Sequence, residues 1–297
     1  KHLSEVLPGP ASSVSLRYPV RITSPTGRLV TLNWDYTGET PRLIRLADEF
    51  RTLLSVDYYG AISTVVRTLP DSEESAQLTL LFANQNLVSM TRYATDSAAM
   101  VWSFDYQTVD GRYPVCGMSY PTGMQESVVY QANIMRFPAK SGLTALPAVV
   151  SFRRYPGASQ PVTETRWSWS DNNYLGFGGA ADWDANYDAS YGIAGTWQYS
   201  STETLVSDDI SLVTSRTYNR FHLLKEESTR RDGATTTRSV TYYADELKTF
   251  AEQPAQFMLP RETTDILTDS AGNSRRRTTQ TTFDEQGNPL EQTDADG

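Results

Sequence analysis

The chain has 297 residues, 39% of them hydrophobic, which suits one large or two medium domains with a full core. Its 26 basic and 35 acidic side chains leave a net charge of −9, which argues against general nucleic-acid affinity. The single cysteine, Cys116, excludes an internal disulfide and a cysteine-built metal site, and no run reaches the roughly 18 apolar residues of a spanning helix.

Six Trp, 17 Tyr and 10 Phe stand beside many Thr, Val and Ser, a composition that predicts an all-β fold. Residues 1–16 read as a lead-in, broken at Pro8-Gly9-Pro10 and unlike a signal peptide. A hairpin-repeat region is expected over 17–139. Tyr18 to Thr23 reads as a strand, Pro25-Thr26-Gly27 as a turn and Arg28 to Tyr36 as the return strand, with Val30, Leu32, Trp34 and Tyr36 on one face. Arg42 to Leu46 and Arg51 to Tyr58 form a second hairpin. Asn86 to Tyr93 and Met100 to Tyr106 form another, around Thr95-Asp96-Ser97. Three strands end apolar–Asp–Tyr, at Asp35-Tyr36, Asp57-Tyr58 and Asp105-Tyr106. Tyr18-Pro19-Val20 with Pro25-Thr26-Gly27 is echoed by Tyr113-Pro114-Val115 with Pro121-Thr122-Gly123, about 95 residues later, the spacing of a tandem array. Such hairpins must pair or stack to bury their aromatic faces.

The region 140–210 is loop-rich. Strands are expected near Ser151–Tyr155, Thr163–Ser170 and Thr196–Tyr199, around a long ordered loop rich in Gly, Asn and Asp. Hairpins resume over 211–297: Leu212 to Tyr218, Leu223 to Arg230, Thr235 to Tyr243, Glu262 to Leu267 and Arg275 to Phe283, with turns at Arg231 to Ala234 and Asp269 to Asn273. Ala244 to Gln253 reads as a short helix or an irregular loop ended by Pro254.

Candidate chemistry is sparse. Asp182, Asp184, Asn186 and Asp188 alternate oxygen ligands as a calcium loop does, but Tyr187 and Ile193 stand where that loop needs Gly and Glu, so local Asx turns are expected and no metal. Zinc is disfavoured, since His2 and His222 lie far apart. His222 is the one internal base for a nucleophilic triad; between Phe221 and Leu223 it reads as a structural histidine in a strand, and Cys116 as a packed thiol. A glycosidase carboxylate pair has no support from composition alone. Asp35, Asp57 and Asp105 are expected to bond turn amides or a neighbouring Arg. Arg230-Arg231 and Arg275-Arg276-Arg277 read as solvated strand charges. Trp167, Trp169, Trp183 and Trp197 are the aromatics that could stack on a bound sugar.

The last stretch, Phe283-Asp284-Glu285-Gln286-Gly287-Asn288 through Asp294-Ala295-Asp296-Gly297, carries two turn signals around a short polar strand. It resembles the YD repeat of the Rhs family, which includes the B and C components of Tc insecticidal toxin complexes. Asn173-Tyr174-Leu175-Gly176-Phe177, Arg216 to Leu224 and Gln253-Pro254-Ala255-Gln256-Phe257 are similar to segments of those toxin shells. The resemblance covers roughly 165–297 and only loosely the first half, which lacks the full Tyr-Asp-x-x-Gly-Arg signature. It implies a long twisted sheet of tandem hairpins, wound into a shell that encloses and helps deliver a toxic C-terminal cargo. The expected partners are neighbouring repeats and unfolded cargo, with no nucleic acid, no cofactor and no enzyme activity, in a secreted or cell-surface bacterial setting. The chain is then a piece of a longer protein. The alternative expectation is a carbohydrate-binding β-propeller or lectin-like module on the cell surface.

Overall fold

The computed structural model describes residues 2–3, 6–8, 17–68, 76–94, 97–180 and 182–294. The strands are β1 (His2–Leu3), β2 (Val6–Pro8), β3 (Arg17–Pro19), β4 (Arg21–Thr23), β5 (Leu29–Asp35), β6 (Arg42–Ala47), β7 (Thr52–Tyr59), β8 (Ser63–Thr68), β9 (Ala76–Ala83), β10 (Asn86–Ala94) and β11 (Ser97–Tyr106). There follow β12 (Val115–Ser119), β13 (Gln125–Met135), β14 (Leu146–Tyr155), β15 (Thr163–Trp169), β16 (Gln198–Ser207), β17 (Ile210–Asn219), β18 (Leu224–Arg231), β19 (Ala234–Tyr242), β20 (Pro260–Thr268), β21 (Ser274–Phe283) and β22 (Pro289–Asp294). The chain is all-β, with antiparallel pairing and helical geometry confined, among the described residues, to short 3-10 turns.

Two compact units are present: Lys1–Asp105 with Met118–Gly123, and Tyr106–Gly117 with Met124–Gly297. In the first, β4 to β10 pair in sequence order and β10 pairs with β11. Within the expected lead-in, His2 and Leu3 pair with β4, and β2 pairs with β3. The rest of that lead-in, Thr95 and Asp96 of an expected turn, and Asp296 and Gly297 of the closing motif lie outside the described residues. The pair β8–β9, absent from the sequence reading, joins the second expected hairpin to the third. Ala47 and Val65 are the buried apolar residues described in this unit; most other strand positions are half-exposed, as in a sheet one layer thick.

In the second unit, β13 to β22 pair strictly with their chain neighbours. The ladder does not break into four-stranded blades, which corrects the β-propeller alternative for these residues. β13 was not anticipated; bulges at Val129/Tyr130 and beyond Gln131, with Asn133 at φ 59°, interrupt its period-two pattern. The segment 244–253 is the irregular loop of the two options, with a 3-10 turn at Phe250–Glu252 where the Glu252 carboxylate accepts from the Thr249 amide and hydroxyl.

The long connection from β15 to β16 folds back onto the corner between β17 and β18, and there a true core forms. Phe221, 1% exposed, packs against Tyr191 at 5.7 Å and Phe257 at 5.7 Å between ring centres, and Phe250 meets both Tyr191 and Phe257. The Arg220 guanidinium donates to the carbonyls of Tyr191, Ile193 and Lys248, so one buried cation ties two loops to the corner. The segments around Asn173, Phe221 and Phe257 thus meet in one place: Gly176 lies against Ala189 and Ser190, and Ser190 bonds His222 beside Phe221.

Candidate functional site

One five-residue turn recurs and sets the geometry of the site. In Asp284–Asn288, the Asp284 N–H donates to the Asn288 carbonyl at 3.0 Å and Gly287 N–H to the Asp284 carbonyl at 3.1 Å, while Asp284 Oδ1 accepts from the amides of Gln286 and Asn288. Asp269–Asn273 repeats every one of these bonds. Asn173–Phe177 and Asn219–Leu223 repeat the frame with Asn in place of Asp, and Ser24–Arg28 with Ser. The fourth position has positive φ each time: Gly27 82°, Gly176 86°, His222 61°, Gly272 90° and Gly287 86°. Such a backbone suits Gly and strains other residues.

His222 therefore sits in a turn, not in a strand as the sequence suggested, because Asn219 Oδ1 takes the amides of Phe221 and Leu223 and bends the chain there. Its Nε2 lies 2.7 Å from Asp188 Oδ2 and 3.1 Å from Ser190 Oγ, and its Nδ1 lies 2.9 Å from the Tyr199 hydroxyl. A carboxylate only accepts, so Nε2 donates to Asp188 while Nδ1 bonds the Tyr199 hydroxyl. Ser190 is fully buried and gives its hydroxyl proton to Asp188 Oδ1 at 2.7 Å. Burial would push the Asp188 carboxyl up, but hydrogen bonds from Ser190 and His222 hold it below its ordinary value. Ser, His and Asp meet here, yet neither a free base nor an accessible nucleophile results. The constellation is a latch that fixes the long loop to the sheet.

Tyr199 also forms part of a cleft of about 520 Å³ over β15, β16 and β17. Its rows follow from register: Tyr199 opposite Tyr218, then Trp169–Ser201–Arg216, then Trp167–Glu203–Thr214. Tyr199 and Tyr218 stack at 5.1 Å and 15°. Arg216 Nε donates to Glu227 at 2.7 Å, and its Nη1 lies 3.6 Å from Glu203, whose Oε2 accepts from Trp167 Nε1 at 3.4 Å. Asn172 and Tyr174 form the rim. The rim is fixed by Asn172 donating to the Gln198 carbonyl, Asn173 donating to the Arg136 carbonyl, and the Arg136 guanidinium lying over the Phe177 ring at 3.9 Å.

Of the four tryptophans anticipated, Trp167 and Trp169 line this cleft. Trp183 instead packs edge-on against Phe137 at 5.2 Å, and Trp197 packs beside Tyr199 with its buried Nε1 unpaired. The acidic loop is split among separate partners. Asp182 pairs with Lys140 at 2.5 Å, Asp184 accepts from the Asn186 amide at 2.8 Å, and Asp188 joins the latch. Among the described residues no group of three or more His, Cys, Asp or Glu could hold a metal ion.

The repeat-motif residues take local roles. Asp35 accepts from Thr37 N–H and Oγ1, Asp57 from Arg67, and the Tyr58 hydroxyl donates to the Leu43 carbonyl at 3.0 Å. Asp105 and Tyr36 are exposed, and Tyr106 is half-buried at the end of β11. Phe283 meets Tyr243 edge-on at 6.2 Å. Asp294, expected to open a turn, is the last residue of β22 and accepts from Thr279 and Arg277. Tyr199, Ser201, Glu203, Arg216 and Tyr218 were missed, although their period-two spacing puts them on one face. No family model matches the chain, and no curated protein matches it.

Proposed function

We propose that the chain is a non-enzymatic wall segment of a hairpin shell of the Rhs kind, which encloses an unfolded, toxic polypeptide cargo and binds neighbouring repeats of the same array. The observation that carries this reading is the recurrent turn with its conserved set of backbone bonds, at Ser24–Arg28, Asn173–Phe177, Asn219–Leu223, Asp269–Asn273 and Asp284–Asn288. Four of these five turns join paired neighbouring strands, and a turn unit that recurs between strands lets hairpins be added one after another. The sequential ladder from β13 to β22 supports the same reading, as does the single core built by the three segments that resemble toxin shells. Cargo and partners act through surfaces, so no catalytic residue is assigned.

The test is to extend the reading frame past Gly297 and express the product. Further hairpins followed by a segment that resists protease until the wall is unfolded are expected. A frame that stops within a few residues, or a purified chain whose turnover of a substrate depends on one carboxylate, overturns the reading.

A further inference from the structure

We propose that the cleft over β15, β16 and β17 is a binding site for a neutral carbohydrate, with Trp169 as the stacking platform and Glu203 with Arg216 as the hydroxyl-reading pair. The cleft owes its depth to sequence: Ser201 is the small residue between Trp169 and Arg216 in one cross-strand row, so the row dips where its neighbours stand tall. Its volume of about 520 Å³ falls within the roughly 300–1,000 Å³ of small-molecule sites. Its exposed lining is more apolar than polar, the usual balance of such sites, although Asn172, Ser201, Glu203 and Arg216 add polar groups.

The polar groups narrow the ligand class. Glu203 receives one long bond, from Trp167, and keeps acceptor capacity; Arg216 has one nitrogen committed to Glu227 and keeps donors. Two carboxylates flank one guanidinium, which repels phosphate and other anions. Arg216 at the same spot opposes a cation. A ligand that donates and accepts at adjacent positions, with no charge and an apolar face to lay on an indole, satisfies all of these groups, and a sugar ring has that chemistry. Trp169 remains 37% exposed, an accessible indole beside a polar pair. The opposite wall is held in advance, because the Tyr199 hydroxyl is tied to His222. Such preorganisation lowers the ordering cost of binding.

The proposal is independent of the shell reading. The experiment is a neutral glycan array on the folded chain, followed by calorimetric titration of the best saccharide. Binding in the micromolar to millimolar range is expected. Trp169→Ala and Glu203→Gln should each weaken it about tenfold or more, and Trp183→Ala should leave it unchanged. Ser201→Leu, which fills the floor, should abolish it while circular dichroism and melting stay those of the parent chain. No saccharide binding by the folded chain, unaltered binding in Trp169→Ala, or binding only of acidic glycans or of unfolded polypeptide overturns the proposal.

Discussion

His222 holds the turn position that Gly287 holds in the closing hairpin, and both have positive φ, 61° and 86°. A non-glycine residue there carries about 1–3 kcal/mol of backbone strain. It is retained because the imidazole ring joins Asp188, Ser190 and Tyr199. The two contributions can be separated. His222→Ala keeps the strain and loses the bonds, so it should destabilise the chain by about 2–4 kcal/mol. His222→Gly loses the same bonds but relieves the strain, and should sit about 1 kcal/mol above the alanine variant. Urea unfolding of the parent and both variants checks the order. An alanine variant as stable as the parent would show that the ring contributes nothing.

The core at the corner should depend on Phe221 more than on any strand residue. Its ring is 1% exposed and touches Tyr191, Phe250 and Phe257, which come from two different loops. Phe221→Ala should cost about 3–5 kcal/mol, the range for a large aromatic removed from a packed site. Near-ultraviolet circular dichroism should lose aromatic signal while the far-ultraviolet strand signal persists. By contrast Phe50, 90% exposed, should tolerate alanine within about 0.5 kcal/mol.

The hairpins were legible because strands such as Arg28 to Tyr36 alternate with period two and end at glycine turns. β13 was not, since its bulges shift the apolar set from one face to the other. The core corner was not legible for a different reason. His222 reads as a strand residue between Phe221 and Leu223, and only the Asn219 side chain taking two amides turns the backbone there. The same Asn/Asp-led frame reads as a turn at Asp269 to Asn273 and Asp284 to Asn288, but at Asn173 to Phe177, despite Gly176, it is hidden in the long Gly- and Asn-rich loop. It was passed over where His replaces Gly. Trp167 and Trp169 were singled out as aromatics, but their cleft needs Ser201, Glu203 and Arg216 from partner strands, and cross-strand register is not written in either strand alone.

The Arg166, Ser151 and Arg153 side chains hold Glu164 down, to about 2 from an ordinary 4.5. Because the folded value is the lower one, the contribution is complete above about pH 4.5 and fades as pH falls toward 2. The arginine partners are about half-exposed, so the effect should be near 1 kcal/mol. Stability measured by urea unfolding from pH 6 down to pH 2.5 should fall less steeply in Glu164→Gln than in the parent. Identical slopes would mean that the cluster is equally formed in the unfolded chain.

Two glycines should fail for opposite reasons when given a methyl group. At Gly287 a Cβ would meet Leu259 Cδ1 at 3.6 Å, an ordinary contact, so the cost of Gly287→Ala is backbone strain at φ 86°, about 1–2 kcal/mol. Gly179 has no positive φ, yet its Cβ would collide with the side chain of Ile193, which is 3% exposed. Overpacking of that kind costs about 1–3 kcal/mol and displaces the neighbour. The two mechanisms separate in a double variant. Ile193→Val or Ile193→Ala should recover part of the loss in Gly179→Ala by opening space, and neither should rescue Gly287→Ala. Double-mutant cycles by chemical denaturation measure the coupling. Zero coupling between positions 179 and 193 would refute the packing account and mean that the two halves of the long loop do not press on each other there.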